Sequence, residues 1–233
     1  MDAAPETLEA DSAIGSVDTR PAASPTQRRE VEPLPERSDT ILDHQVTDSP
    51  LTLSHESVIE GEVAEELWEM YRRNFAPLEE LAILQHCYPR DEILAEFADP
   101  AITKIVVWEG TTPVGLGMIT NQLEAVPQIS PRYLRAKYPD HAADDRIYFG
   151  ILVAVDPDHR GLTSFNRIYL DMWQMVGKRD GMLIWDVSQF NREVLGADAY
   201  AQRVSSQYPR SHVEVIDQQT YFAASIPQAL PGG

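Results

Sequence analysis

Ten consecutive residues, Arg146 to Val155 (RIYFGILVAV), are almost wholly apolar after the leading arginine, at odd and even positions alike. Neighbouring side chains of a strand point to opposite faces, so both faces of this one are apolar. Such a strand needs cover on both sides, which makes it a central strand of a helix-covered sheet. The run stops at Asp156-Pro157, passes through His159-Arg160-Gly161 and enters a segment of a different period. There Ile168, Met172, Met175 and Val176 fall at i, i+4, i+7 and i+8, one apolar face of a helix. Arg167, Asp171, Gln174 and Lys178 line the opposite face. Thr163 or Ser164 supplies a cap at its start. Lys178, Arg179 and Gly181 suit its end.

The flanking segments give a consistent picture. Leu51 to Leu53 starts a short strand, and Glu62 to Phe75 is a helix with Val63, Leu67, Met70 and Tyr71 on one face. APLEELAILQHCYP continues as helix or irregular structure to Pro89, and RDEILAEFADP is a short helix stopped by Pro100. Ile105 to Trp108, the turn EGTTP and Val114 to Thr120 form a hairpin. Gly115 and Gly117 share a face of its second strand and allow close backbone approach there. Leu123 to Asp145 is a long, proline-punctuated connection, of a length that often carries function. GMLIWDVSQF is a further buried strand. A helix from about Arg192 to Ser206 and a last strand, HVEVIDQQTYFAAS, complete the set. The order is that of an α/β (α+β) domain, a mixed sheet covered by helices.

Composition limits the function classes. Residues 1–50 contain no Phe, Tyr or Trp but many Pro, Ser, Thr and acids. Such a segment cannot offset its ordering entropy, so it is expected to be a disordered tail, followed by a folded domain at 51–226 and a flexible end at 227–233. The formal charge of −18 disfavours nucleic acid, whose phosphates need clustered Lys and Arg. No apolar run approaches the roughly 18 residues that span a membrane, and the N-terminus lacks the apolar core of a secretory signal. Cys87 is the only cysteine, which excludes an intrachain disulfide and suits a reducing cytoplasm. His86 and Cys87 do not announce a metal site, because no second cysteine exists and the other histidines lack ligand spacing. His159 reads as a solvated turn residue.

The turn has a chemical bias of its own. Helix N-termini favour acids, yet Phe165, Asn166 and Arg167 carry none, in a chain with 37 acids and 19 bases. Free N–H groups, a positive dipole end and the guanidinium groups of Arg160 and Arg167 make an anion site. A strand running into such a turn is where α/β folds place phosphates.

Two helices, the hairpin VVWEGTTPVGLGMI, a long connection, YFGILVAVDPDHRG, an amphipathic helix and then LIWDVSQFN resemble the GNAT superfamily of acyl-CoA-dependent N-acetyltransferases. The resemblance covers roughly Leu51 to Ser225 and is best in VAVDPDHRG. It implies a mostly antiparallel sheet with a splayed central strand pair. It also implies a bulge at the end of the central strand and a turn whose amides wrap the pyrophosphate of coenzyme A. Cofactor-binding residues carried over are Val153, Ala154, Val155, Arg160, Gly161, Leu162, Thr163, Ser164, Phe165 and Asn191. The sequence departs from the family pattern at Thr163, where Gly is expected, and at Phe165, where Gly or Ala is expected. The ring of Phe165 either turns into the core and anchors the helix or fills the cofactor's place.

The resemblance also implies chemistry. An amine attacks the thioester of acetyl-CoA or another acyl-CoA, and positioning supplies much of the rate. A backbone N–H around Val153 to Val155 would polarise the carbonyl. Tyr200 is the candidate acid for the thiolate, at a two-residue shift from the family spacing. Asn191 either reaches the pantetheine or caps a helix. Asp186, between Trp185 and Val187 in an apolar strand, is the first candidate base, since burial raises a carboxylate's pKa. Tyr148 is the second. The acceptor, a small-molecule or protein amine, is expected between Pro77–Pro89 and Leu123–Asp145, with QQTY (Gln218–Tyr221) on the last strand facing it. A homodimer is allowed for, though no pattern specifies one. The competing expectation is a non-catalytic GNAT-like module that binds a ligand or a protein.

Overall fold

The computed structural model describes residues 51–83, 87–159, 162–194 and 196–225. The expected acidic tail (1–50), His86, Arg160, Gly161 and the expected flexible end (227–233) lie outside the described residues.

Five strands form one sheet in the order of the chain: β1 (Leu51–Glu56), β2 (Thr103–Glu109), β3 (Thr112–Thr120), β4 (Ile147–Val155) and β5 (Met182–Trp185). The first four are antiparallel neighbours, and β5 joins β4 in parallel. The helices are α1 (Gly61–Phe75), α2 (Arg90–Ala98), α3 (Pro131–Lys137), α4 (Pro139–Ala142), α5 (Leu162–Gly177), α6 (Gln189–Val194) and α7 (Ala197–Ser205). This is a mixed, mostly antiparallel sheet flanked by helices, as expected.

The two-sided apolar character of β4 is used as its composition requires. One face of the sheet buries Val106, Leu116, Met118, Leu152 and Ala154 against Leu67, Met70 and Tyr71 of α1 and Ile93 and Phe97 of α2. The same face continues past the end of α1 as a cluster of Ile147, Phe149 and Ile184 with Leu123, Val126 and Leu134 of the long connection. The opposite face buries Ile105, Val107, Ile119, Tyr148 and Val155 against Ile168, Met172 and Val176 of α5. Gly115 and Gly117 let α5 sit close. A Cβ on Gly117 would lie 2.3 Å from Ile168 Cγ2 and 2.7 Å from Met172 Cε.

Three expectations need correction. Residues 212–225 form no strand. Their carbonyls and acids are engaged by side chains instead: Tyr133 Oη donates to Ile216 O at 3.3 Å, Tyr138 Oη to Glu214 Oε1 at 3.0 Å and Gln202 Nε2 to Val213 O at 3.2 Å. The alternation that suggested a strand ends at the polar run Asp217–Thr220. QQTY therefore does not sit on a strand, and Tyr221 is exposed. The helix expected from Arg192 to Ser206 is two helices, with Gly196 between them at a φ of 64° that favours glycine. The buried strand GMLIWDVSQF is only Met182–Trp185, so Asp186 follows the strand rather than lying inside it.

Candidate functional site

The site begins with an irregularity in β4. Met118 pairs with Leu152, but the next residue of β3, Ile119, pairs with Gly150, so Ile151 has no partner and is a bulge. The alternation of β4 inverts there. Ile147 and Phe149 face the long connection before the bulge, and Leu152 and Ala154 face α1 after it. Ile151 packs against both clusters. The bulge thus lies before Val153–Val155, where it was expected. Val153 and Val155 sit opposite Gly117 and Gly115 in regular register, and the extra residue is absorbed beside Gly150.

At the same point β5 ends. Its last pair is Trp185 with Gly150, and β4 runs on alone from Ile151 to Val155 on that side. The expected splayed pair is this divergence. Asp156 N–H donates to Val114 O across β3. N–H and C=O of one residue in a strand point to one side and alternate along it, so those of Val155 and Val153 point away from β3. Asn74 Nδ2, which also donates to Met70 O at 2.8 Å, takes Val155 O at 3.0 Å. The Val153 main chain opens onto the side that β5 has left.

The turn after β4 is wired on both flanks. Asp156 Oδ1 accepts the Asp158 N–H at 2.8 Å, and Oδ2 accepts Arg73 of α1 at 2.6 Å. Burial works against the Asp156 charge, but these donors and His159 outweigh it and lower its pKa. His159 is not a freely solvated turn residue. Its Nε2 lies 3.1 Å from Glu109 Oε2 at the end of β2, and its Nδ1 lies 3.6 Å from Asp156 Oδ1.

α5 then starts at Leu162, so Thr163 and Ser164 are its second and third residues rather than its cap. Thr163 is exposed and Ser164 is buried. No acid stands in the first turn. Of the two arginines expected at the anion site, Arg167 points elsewhere: it donates to Leu51 O of β1 at 2.7 Å. Phe165 packs towards the core beneath α5 and stacks on Tyr169, with ring centroids 5.7 Å apart.

Tyr200 of α7 closes this aromatic group. Its ring meets Phe165 edge-on at 5.3 Å and Tyr169 at 5.0 Å, and its hydroxyl donates to Asn166 Oδ1 at 2.5 Å. Its pKa is raised by burial, with Arg203 opposing. Asn191 does not cap α6; Ser188 Oγ accepts the Asn191 N–H at 3.2 Å. The Asn191 Oδ1 atom is itself buried with no hydrogen-bond partner among the described residues, an acceptor waiting for a donor.

The two candidate bases stand on opposite faces. Tyr148 is buried with Ile168 and Met172 on the α5 face. In β5, Ile184 faces the long connection, so alternation sends Asp186, just past the strand, to that same face. Asp186 is solvent-accessible, not buried as its neighbours in sequence implied. Enough protein surrounds it that desolvation still raises its pKa, with its own backbone amide opposing.

Sequence reasoning missed Tyr88 and Gln128. Gln128 Nε2 donates to Tyr88 Oη at 3.2 Å, joining the two long segments between which an acceptor was expected. Burial raises the Tyr88 pKa; the Gln128 bond opposes, and Glu96, Asp186 and Glu92 add to the rise. Nothing in local sequence marks this pair, because the contact spans 40 residues. A separate groove of about 430 Å³ runs along α1 between Glu62, Glu66, Glu69, Pro113 and Asp156; its acidic lining repels a polyanion. Among the described residues no group of three His, Cys, Asp or Glu side chains is placed to hold a metal ion, and no helix is long and apolar enough to cross a membrane.

No family model matches the chain, and no curated protein matches it. Solved structures do. The chain is similar to an aminoglycoside N-acetyltransferase in complex with CoA at 12% identity, over 73% of this chain and 95% of that one, with a TM-score of 0.43. It is similar to a ribosomal-protein-alanine N-acetyltransferase from Brucella melitensis biovar Abortus 2308 at 14% identity, over 75% and 99%, with a TM-score of 0.44. A GCN5-related N-acetyltransferase from Ralstonia eutropha JMP134 aligns at 16% identity over 75% and 100%, again with a TM-score of 0.44.

Proposed function

We propose that this chain is a GNAT-type N-acyltransferase that moves an acetyl or other acyl group from its CoA thioester to a primary amine. One observation carries the reading. β4 loses its β5 neighbour at a bulge, keeps the Val153 main chain open, and leads into the short turn Pro157–His159, with the acid-free first turn of α5 beginning at Leu162.

The residues present suit such a cofactor. Asn191 Oδ1 is a buried acceptor without a donor among the described residues, which an amide of a pantetheine arm would satisfy. Phe165 is turned to the core, which favours the anchoring reading of its bulk over the blocking one. Arg160 and the amides from Gly161 to Phe165 would hold the diphosphate, with Thr163 adding a hydroxyl, Leu162 and Ser164 only their backbone, and Ala154 its place in the strand. An acyl-CoA would supply an activated thioester carbonyl. The Val153 N–H, on the open edge, would polarise the carbonyl oxygen. Asp186 takes the proton of the attacking ammonium, its raised pKa bringing it nearer to neutrality. The single cysteine suits the reducing cytoplasm in which such an enzyme would work.

Tyr200 is the weak point. Its proton is committed to Asn166, at the start of the second turn of α5, rather than to the open β4 edge. That bond favours a second reading, a GNAT-like binding module without turnover. A thiol-release assay with acetyl-CoA and a panel of primary amines separates the two. Release with at least one amine, lost in Asp186→Asn, supports the transferase. Binding of acetyl-CoA with no release across the panel supports the module.

A further inference from the structure

We propose that Tyr88 and Gln128 form the acceptor wall of the site and receive a primary alkylammonium group between the Tyr88 hydroxyl and the Asp186 carboxylate. This rests on the transferase reading and names the group that the acceptor must carry.

Tyr88 is held firmly. Its N–H donates to Tyr71 Oη at 2.9 Å, and its ring lies 6.3 Å from that of Tyr71. Tyr71 is buried on α1 between Trp68, at 5.9 Å, and Phe75, at 4.7 Å. The phenol oxygen therefore has a fixed position, and Gln128 steadies it from the long connection. Tyr88 packs with the α1 cluster, and Ile129, next to Gln128, packs with the cluster of the connection. Ile151 touches both clusters, so the Tyr88–Gln128 bridge spans the sheet face at the bulge.

Asp186 reaches the same place from the other strand. Trp185 pairs with Gly150, and the next residue of each strand is Asp186 and Ile151. The bulge, the end of β5 and the start of the open β4 edge therefore coincide, with Asp186 the first residue past β5. Among the described residues, the acidic groups of Glu96, Asp186 and Glu92 act on the Tyr88 hydroxyl. A neutral phenol oxygen beside a carboxylate accepts N–H groups and balances positive charge, the pattern that an R–NH3+ group meets. The exchange is non-covalent: the ammonium donates one N–H to Tyr88 and one to Asp186 before either bond is lost to proton transfer.

The test uses the full chain and three probes: n-butylamine, spermidine, and tetramethylammonium, which has the charge but no N–H. Binding is followed by calorimetric titration, with acetyl-CoA-induced thermal stabilisation measured on the same samples. Tyr88→Phe keeps the backbone anchor and the ring. It is expected to weaken the two primary amines about tenfold, one hydrogen bond to a charged group, and to leave the acetyl-CoA shift unchanged. Gln128→Ala is expected to weaken them less, and tetramethylammonium to bind poorly to every variant. Equal amine binding by wild type and Tyr88→Phe overturns the proposal, as does a wild type that binds no primary amine. Acetyl-CoA stabilisation without amine binding sinks this proposal alone. Amine binding lost in Tyr88→Phe without any acetyl-CoA stabilisation keeps the ammonium site and sinks the transferase reading.

Discussion

Trp185 is the last residue of β5 to pair with β4, and its partner is Gly150, one residue before the bulge at Ile151. The end of one strand and the irregularity of the next therefore coincide. The coincidence leaves the Val153 backbone without a β5 partner and makes Asp186 the first residue past β5.

If Asp186 is the base, its titration shapes the rate. A base must be unprotonated, so kcat/KM is expected to rise with pH through the Asp186 pKa, which lies above the ordinary aspartate value. Asp186→Asn is expected to lose about 10²- to 10⁴-fold in kcat and the acid limb with it. A pH–rate profile of the two proteins checks this. An unchanged acid limb in the variant would assign the base elsewhere.

Tyr200 is expected to hold α7 to α5 more than to give up a proton. Tyr200→Phe keeps both ring contacts and loses the bond to Asn166, so it should cost about 1 kcal/mol of stability. Its kcat should stay within about fivefold of wild type, where loss of a general acid would cost at least about 10²-fold. Urea unfolding and steady-state rates of the same preparation decide between the two roles.

Gly117 has a steric reason to lack a side chain. Gly117→Ala is expected to destabilise by about 1–3 kcal/mol, because its Cβ would meet the branched Ile168 side chain as well as the more yielding end of Met172. Ile168→Ala alone should cost about 2–5 kcal/mol through the cavity it leaves. The double variant should cost less than the sum, since each change relieves the other. A double-mutant cycle by urea unfolding measures the coupling.

These elements also mark what the sequence made legible. The apolar run Arg146–Val155, the hairpin with its paired glycines and the helix face of Ile168, Met172 and Val176 are local patterns, and each appears where it was expected. The divergence of β4 and β5 came with the GNAT resemblance. Position within the element was harder. The bulge is at Ile151, ahead of the Val153–Val155 stretch around which it was expected, because register is decided by what stands opposite on β3. Arg167 is taken by Leu51 O, 116 residues away, and Tyr88 by Gln128. The alternation in Val213–Ile216 read as a strand, but tyrosine hydroxyls and a glutamine hold that segment as irregular chain.

Lys104 supplies a pH prediction independent of catalysis. It is fully buried on β2, with Nζ donating to Ser57 O at 2.9 Å and to Asp99 O at 2.5 Å, and burial lowers its pKa to about 8. The unfolded chain keeps this proton to about pH 10.4. Between those values the unfolded state binds more protons, so this group makes stability rise as pH rises. From pH 8 to pH 9.5 the gain should be on the order of 1–2 kcal/mol. It should vanish in Lys104→Met. Urea unfolding at the two pH values measures it.

The central claim is that the opened β4 edge and the turn after it hold an acyl-CoA. Thermal unfolding of the full chain, alone and with acetyl-CoA, coenzyme A and longer acyl-CoAs, tests it most directly. A ligand at 100 times its Kd adds roughly 2.7 kcal/mol to stability, an easily measured rise in Tm. The account predicts such a rise with at least one of these molecules, abolished by Thr163→Pro, which removes an amide from the first turn of α5, and by Arg160→Ala. No rise with any CoA species would contradict it.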